Sequence, residues 1–511
     1  MSRVKKTIKN AKVGIVFFSL TLLAQFFSRK IFLESLGDEF IGLTSTLQSI
    51  LGFLNLAELG IGTAVGVTLY KPLFKNDYDE INNIIALVGI LYKKIGIVVI
   101  VLGTIVAGFF PIIFSETEIR LPIIYFAFVS FLTSSLVGYF ITYQIIILQA
   151  DQKSYIVSTY FHSFTILKLI IQSILVFYYK SYFLWIILEF IFPLIYSYIL
   201  KLRIKKEYNW LSINSLKTKP KLTDYTNIIK IIKQTFVHKI GSFVLFSTDQ
   251  LLIFALVNLK SVAFFGNYQL IFSKLNELTN SLFAGIDAGI GNLVAENDSK
   301  KIDEIFWEMM ALRFLVGGFI CINLYFLTEP FIVIWLGNQY ILDRWILLLM
   351  LINLFISQIR TPVEQFKNAY ALFWDIWAPI VEVIINLMVS LIFGILWGIK
   401  GIMFGTLISL LVIVVFWKPY FLYRYGFKKG VQEYWMGFLK LLVPLIFFFI
   451  ISQGIMNYFF HEPVNNYLDW LLLSIKISLI SLFIYIPFLL TNKGFRNLIN
   501  RFNRLLKKTY K

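Results

Sequence analysis

The sequence predicts an all-α polytopic membrane protein of about fourteen transmembrane helices, built as two six-helix lobes around a central cavity with two further helices appended. Three observations carry this expectation. The 511 residues are 58% hydrophobic and only 15% charged, where soluble domains run near ~25% charged. Apolar runs of about 20 residues recur along the chain, the length at which a helix crosses a bilayer while satisfying its own backbone groups. These runs do not alternate in the ~10-residue units of barrel strands.

The first span, 13–34, follows a basic start resembling a signal peptide, but no small-residue cleavage site follows and the membrane pattern continues. It carries Arg29 and Lys30 near its far end, then the chain turns through Gly37, Asp38 and Glu39 into a second span, 41–66, that holds Glu58. Spans at 84–114, 122–148, 155–178 and 183–203 complete the first lobe, 1–203. A basic linker, 204–235, precedes the second lobe, 236–420, with spans at 236–258, 263–294, 308–334, 343–366, 376–397 and 400–420. Two further spans, 437–459 and 469–490, and a basic tail, 491–511, close the chain.

Charge placement supports an even number of spans. With both termini cytoplasmic, 34 of the 47 Lys and Arg fall on inner segments, seven on outer ends and six within spans. Cytoplasmic loops carry such an excess, so the net charge of +18 needs no nucleic-acid partner. Arg313 and Lys440 read as residues of the inner edge. Cys321 is the single cysteine, and His162, His238 and His461 are too scattered for a zinc site. No cofactor is expected, and the sequence leaves H⁺ or Na⁺ coupling open.

An internal repeat is visible. FIGLTSTLQSI leading to LGIGTA is echoed by FFGNYQLIFSKL leading to AGIGNLVA at an offset of about 224 to 229 residues. Transporters built from repeats commonly place substrate near the midplane where the repeats meet.

Polar residues at helical spacing mark one face of several spans. The first has Thr21, Gln25, Ser28 and Arg29; the second has Thr44, Gln48, Asn55 and Glu58. The fifth has Ser158, His162, Thr165, Lys168 and Gln172, and the seventh His238, Ser242 and Asp249. Lys274 and Glu277 lie on the eighth, Arg360 and Glu364 beside Pro362 on the tenth, and Glu382, Asn386 and Ser390 on the eleventh. The last two spans carry few polar groups and read as peripheral. Charges inside hydrocarbon are costly and mark pathways or binding sites. Arg29 toward the outside, Lys168 and Lys274 near the middle and Arg360 toward the inside form a ladder of cations suited to phosphate oxygens. Gln25, Gln48 and Asn55 would line the same cavity. Glu58, Asp249, Glu277, Glu364 and Glu382 are charge partners or ion-coupling groups, and Lys30 is an interfacial anchor.

The run SRKIFLESLGDEFIGL, continuing through LNLAELGIGTA and LYKPLFKND, resembles the opening of Wzx-type polysaccharide (O-antigen repeat-unit) flippases of the multidrug, oligosaccharidyl-lipid and polysaccharide exporter superfamily. STDQLLI, FFGNYQLI and AGIGNLVAEN resemble the seventh and eighth helices of that family. The resemblance implies two six-helix lobes around a cationic cavity in the bacterial inner membrane. It implies a transporter, not an enzyme, that moves an undecaprenyl-diphosphate-linked glycan from the cytoplasmic to the periplasmic leaflet for O-antigen, capsule or exopolysaccharide synthesis. Membrane lipid, a polysaccharide polymerase and a chain-length regulator are the partners it implies. Alternatives are a lipid II flippase, a drug or cation-coupled exporter and, from another class, an intramembrane polysaccharide polymerase or ligase. The last finds little support: the longest outer segment, 461–469, is short, and no Ser, His and Asp grouping appears.

Overall fold

The computed structural model describes residues 3–58, 61–211, 225–226, 229, 232, 236, 248–283, 286–459 and 464–509. Among them every regular element is a helix, and eleven helices are long and apolar enough to cross a membrane. The chain is a multi-pass membrane protein, as its composition requires. His238, Ser242 and most of the basic linker lie outside the described residues.

Two compact units are formed, Met1–Gly266 and Asn267–Lys511. In the first, α1 (Arg3–Leu36), α2 (Asp38–Leu54), α3 (Ile61–Lys75), α4 (Tyr78–Gly108), α5 (Phe110–Ile113), α6 (Leu121–Phe140), α7 (Ile145–Ala150), α8 (Ser154–Tyr179) and α9 (Tyr182–Glu207) follow in order, then α10 (248–256). Local chemistry sets their ends. Asp77 caps α4 by accepting from Glu80 N–H at 3.1 Å, and Ser181 caps α9 by accepting from Leu184 N–H at 3.4 Å. α1 packs along α8, α8 on α9, and α6 on both α4 and α9. Their shared interior is aromatic, with Trp185 meeting Phe32, Phe40 and Phe131 edge-on.

α11 (Leu259–Leu282) carries the chain into the second unit, which continues with α12 (Ile286–Ala295), α13 (Ser299–Trp335), α14 (Arg344–Ala369), α15 (Trp377–Trp397), α16 (Ile399–Phe427), α17 (Val431–Phe459), α18 (Tyr467–Leu490) and α19 (Lys493–Thr509). Asp298 caps α13 and Asp343 caps α14 through backbone N–H groups. A large cluster around Phe306, Phe314, Phe366, Phe421 and Tyr423 forms the core of this unit. α15 and α16 form a tight hairpin. Gly398 turns it at φ 59°, ψ −133°, a conformation open essentially only to glycine. Each unit also exposes large apolar side chains, such as Leu23, Val101 and Ile174 in the first and Ile384, Phe447 and Phe483 in the second. Such belts face lipid in a membrane-spanning chain.

Four expected spans are not continuous helices; the third, 84–114, is divided at Phe109 and the fourth, 122–148, between Phe140 and Ile145. The second, 41–66, is interrupted: α2 ends at Leu54, Asn55–Glu58 forms a 3₁₀ turn and α3 starts at Ile61. The eighth, 263–294, is likewise divided into α11 and α12. The breaks in the second and eighth spans fall within the two members of the sequence repeat, upstream of GIG in both copies. A break in a membrane helix needs other partners for its polar groups. At the first break Asn55 Oδ1 accepts from Ser135 Oγ and Tyr139 Oη, both at 2.8 Å, and Glu58 accepts from Tyr92 Oη at 3.1 Å.

Candidate functional site

In the first unit the polar faces of α1, α8 and α9 meet. Thr21 Oγ1 lies 2.9 Å from His162 Nδ1, whose ring stacks on Phe17. Further along α8, Lys168 donates to both carboxylate oxygens of Glu189, each at 2.7 Å. Gln172 adds a hydrogen bond to Glu189 Oε1 at 3.0 Å and one to Trp185 O at 3.1 Å. A membrane-embedded carboxylate thus holds an ammonium in place, with side-chain exposures of 18% for Lys168 and 12% for Glu189. Gln25 Oε1 is buried and accepts no hydrogen bond from the described residues. Gln48 is exposed. Arg29 Nη2 donates to Ala263 O at 3.1 Å, so its guanidinium lies over the first turns of α11. Lys30 and Glu34 form an exposed pair one turn apart at 4.0 Å, in keeping with an interfacial anchor. Asp249 is half-buried on α10.

In the second unit four charges share the buried space among α14, α15 and α16. Glu364 Oε1 accepts from Arg360 Nε at 2.6 Å and from Lys418 Nζ at 2.7 Å. Glu382 Oε2 lies 3.9 Å from the same ammonium, and its Oε1 accepts no hydrogen bond from the described residues. Next to them Lys367 donates to the fully buried Asp375 at 2.6 Å. π-helical windings over Leu410–Trp417 and Leu422–Phe427 flank Lys418, and such windings are frequent at functional sites. The stripe expected on the eleventh span lies on the buried face of α15, where Asn386 donates to Thr406 Oγ1 at 3.0 Å and Ser390 to Ile402 O at 3.0 Å.

Lys274 pairs at 3.0 Å with Glu277, one turn along α11. The cations of the expected ladder are therefore compensated: three by carboxylates and Arg29 by a carbonyl. Two placements differ from expectation. Arg313, expected as an interfacial residue, is buried in the protein: it donates to Gln358 Oε1 at 3.0 Å and lies 4.2 Å from the centre of the Phe283 ring. Lys418, which the charge count assigns to an inner segment, lies within α16 and belongs to the charge cluster.

Glu189, Lys418, Lys367 and Asp375 were not singled out from sequence. Glu189 carried a usable signal, as the one acidic residue within its apolar run. Among the described residues no group of three His, Cys, Asp or Glu side chains is placed to hold a metal ion.

At the end of the first unit where α1 begins, Lys153 bridges Asp151 at 2.7 Å and Glu207 at 3.0 Å, and Tyr208 Oη donates to Asp151 at 2.9 Å. Burial disfavours the Lys153 charge, but these two carboxylates outweigh it and hold the ammonium above its usual range. Burial, then the charge of Asp151, pushes the Tyr208 phenol up in turn.

No family model and no curated protein matches the chain. Solved structures do. A lipid II flippase, MurJ, in an inward closed conformation is similar at a TM-score of 0.65 and 16% identity, covering 95% of this chain and 99% of its own. A multidrug resistance MATE family transporter in an inward-facing conformation matches at 0.56 and 13%, covering 82% of this chain and 99% of its own. A superfamily transporter from Pyrococcus furiosus matches at 0.54 and 14%, covering 83% and 97%. The chain shares the fold of these transporters.

Proposed function

We propose that the chain flips an undecaprenyl-diphosphate-linked oligosaccharide from the cytoplasmic to the outer leaflet of the bacterial inner membrane by alternating access, both termini being cytoplasmic. The observation that carries this reading is a pair of membrane-embedded cations, Lys168 and Arg360, each held by a carboxylate. The polyprenyl tail stays in lipid while diphosphate and sugars occupy the protein. Glu189 and Glu364 act as placeholders. They neutralise the cations in the empty protein and yield to phosphate oxygens, which accept from guanidinium and ammonium in the same manner. Arg29, Lys274, Gln25, Gln48 and Asn55 complete the polar path. Glu382, with its long ion contact and unbonded oxygen, is the candidate coupling group, ahead of Glu58 and Asp249.

The driving force is adequate without a coupled ion. A diphosphate of about two negative charges moving outward across an inside-negative potential gains roughly 4–5 kcal/mol per 100 mV. A polymerase and a chain-length regulator would consume the product.

A second reading is supported by the 95% coverage in the comparison with the lipid II flippase: the glycan is the peptidoglycan precursor. Both readings are tested in proteoliposomes holding either fluorescent lipid, with appearance in the opposite leaflet scored by a membrane-impermeant quencher. Flipping should be lost in Lys168→Ala and Arg360→Ala at normal protein level. Full flipping by both variants overturns the phosphate path, and the preferred lipid decides between the glycans.

A further inference from the structure

A cleft of about 570 Å³ opens at one end of the second unit, where the starts of α13 and α17 meet the junction of α18 and α19. Lys440, Lys493 and Arg496 line it, and all three are exposed. Two carboxylates on the facing wall share one ammonium. Lys429 Nζ lies 3.1 Å from Asp303 and 3.4 Å from Glu433. Among the described residues Lys440, Lys493 and Arg496 have no carboxylate partner. Glu304, the remaining acid of the lining, sits near Arg501 and lowers the local charge without cancelling it.

These cations are held in place. Asn492 Oδ1 accepts from Gly494 N–H at 2.8 Å, which fixes the first turn of α19. Gly494 packs so closely on Trp307 that an added Cβ would lie 2.6 Å from its carbonyl oxygen. Phe495 is buried in the core cluster, and Arg501 clamps the helix to Glu308 through two hydrogen bonds of 2.7 and 3.1 Å. α19 therefore cannot swing away without breaking a bidentate ion pair and exposing a phenylalanine.

The cleft also adjoins a lipid-facing surface. α17 has 29 residues, about 43 Å at ~1.5 Å per residue, against a hydrocarbon core of ~30 Å. A helix of that length reaches beyond the hydrocarbon at one or both ends. Lys440 is flanked by exposed Leu439, Val443 and Phe447 on the adjoining surface. Three cations with no carboxylate partner among the described residues, in a lining that stays net positive and beside lipid-facing apolar side chains, match a phosphate carried on acyl chains.

We propose that this cleft binds the phosphodiester headgroup of an anionic phospholipid, in the leaflet that the positive-inside count makes the inner one. The site is independent of the flipped lipid, because none of Lys440, Lys493 and Arg496 belongs to the charge clusters within the spans. Its occupant tethers α19 to the bilayer surface.

The test is native mass spectrometry of the purified full-length chain in detergent, titrated with phosphatidylglycerol, phosphatidylcholine and inorganic phosphate. The wild type should retain phosphatidylglycerol over phosphatidylcholine by about tenfold or more, since each basic residue near a surface contributes ~1 kcal/mol toward anionic lipid. The triple variant Lys440→Gln/Lys493→Gln/Arg496→Gln should lose that preference, and Lys440→Arg/Lys493→Arg/Arg496→Lys should keep it. The proposal is overturned if the neutral variant retains the preference, if the charge-preserving variant loses it, or if inorganic phosphate displaces the lipid at equal concentration. If the neutral variant does not fold, Lys440→Gln alone must weaken retention relative to Lys440→Arg.

Discussion

The ammonium of Lys168 lies 2.7 Å from both carboxylate oxygens of Glu189 on the neighbouring membrane helix. Removing one partner of such a pair strands the other charge, which costs more than removing both. Glu189→Gln should therefore destabilise the protein by about 1–3 kcal/mol, and Lys168→Gln by a similar amount. The double variant should recover most of the loss. Thermal unfolding in detergent, arranged as a double-mutant cycle, measures this. Additive losses would mean that the two side chains do not act as a pair.

Glu364 carries a heavier burden, because two cations converge on one oxygen. Glu364→Gln leaves Arg360 and Lys418 facing each other with Glu382 as the nearest acid, at 3.9 Å from Lys418. Expression should fall several-fold and the unfolding temperature should drop sharply. Glu382→Gln should leave folding closer to wild type while altering transport. Yield, melting temperature and lipid flipping of the two variants, measured side by side, separate a carboxylate that the fold needs from one whose loss alters transport alone.

The sequence made the helical class and most spans legible because hydropathy integrates over ~20 residues and tolerates local error. It could not reveal that the second and eighth spans are broken. Apolar residues flank both interruptions, and a lost backbone hydrogen bond leaves no trace in composition. The repeat nonetheless marked both places through its glycines. The candidate site was half visible. Lys168 stood out as a mid-span charge, but its partner is on another helix, and only packing brings Glu189 to it. Lys418 is counted with the inner-segment cations because it lies beyond the most apolar stretch of its span, next to Pro419. The π windings on either side of it alter helical phase, so a fixed 3.6-residue period places its face wrongly.

Close packing of α15 on α16 depends on a missing side chain. A Cβ at residue 405 would lie 2.5 Å from the backbone nitrogen of Ser390 and would overlap the Ser390 hydroxyl. Neither neighbour is the flexible end of a long side chain. Gly405→Ala should push the helices apart and disturb the Asn386 hydrogen bond to the adjacent Thr406, at a cost of about 1–3 kcal/mol. Melting temperature in detergent reads the effect, and an unchanged value would show that the hairpin can open at little cost.

Lys153 gives a pH prediction outside the membrane. Its folded ammonium is held above the usual range by Asp151 and Glu207 against the opposing effect of burial. A raised value in the folded state contributes stability that is fully present below the unfolded value and lost as pH rises through the folded one. The unfolded lysine titrates near ~10.4, so this cluster should leave the melting temperature flat from about pH 6 to 9 and lower it at higher pH. Tyr208, also pushed up, acts in the same direction, because the fold favours the neutral phenol donating to Asp151. In Lys153→Met the two carboxylates lose their shared counterion, and the loss of stability should already be present at neutral pH. A melting curve measured from pH 6 to 11 for both proteins checks the sign. If the wild type loses stability between pH 6 and 8, groups other than this cluster dominate its titration.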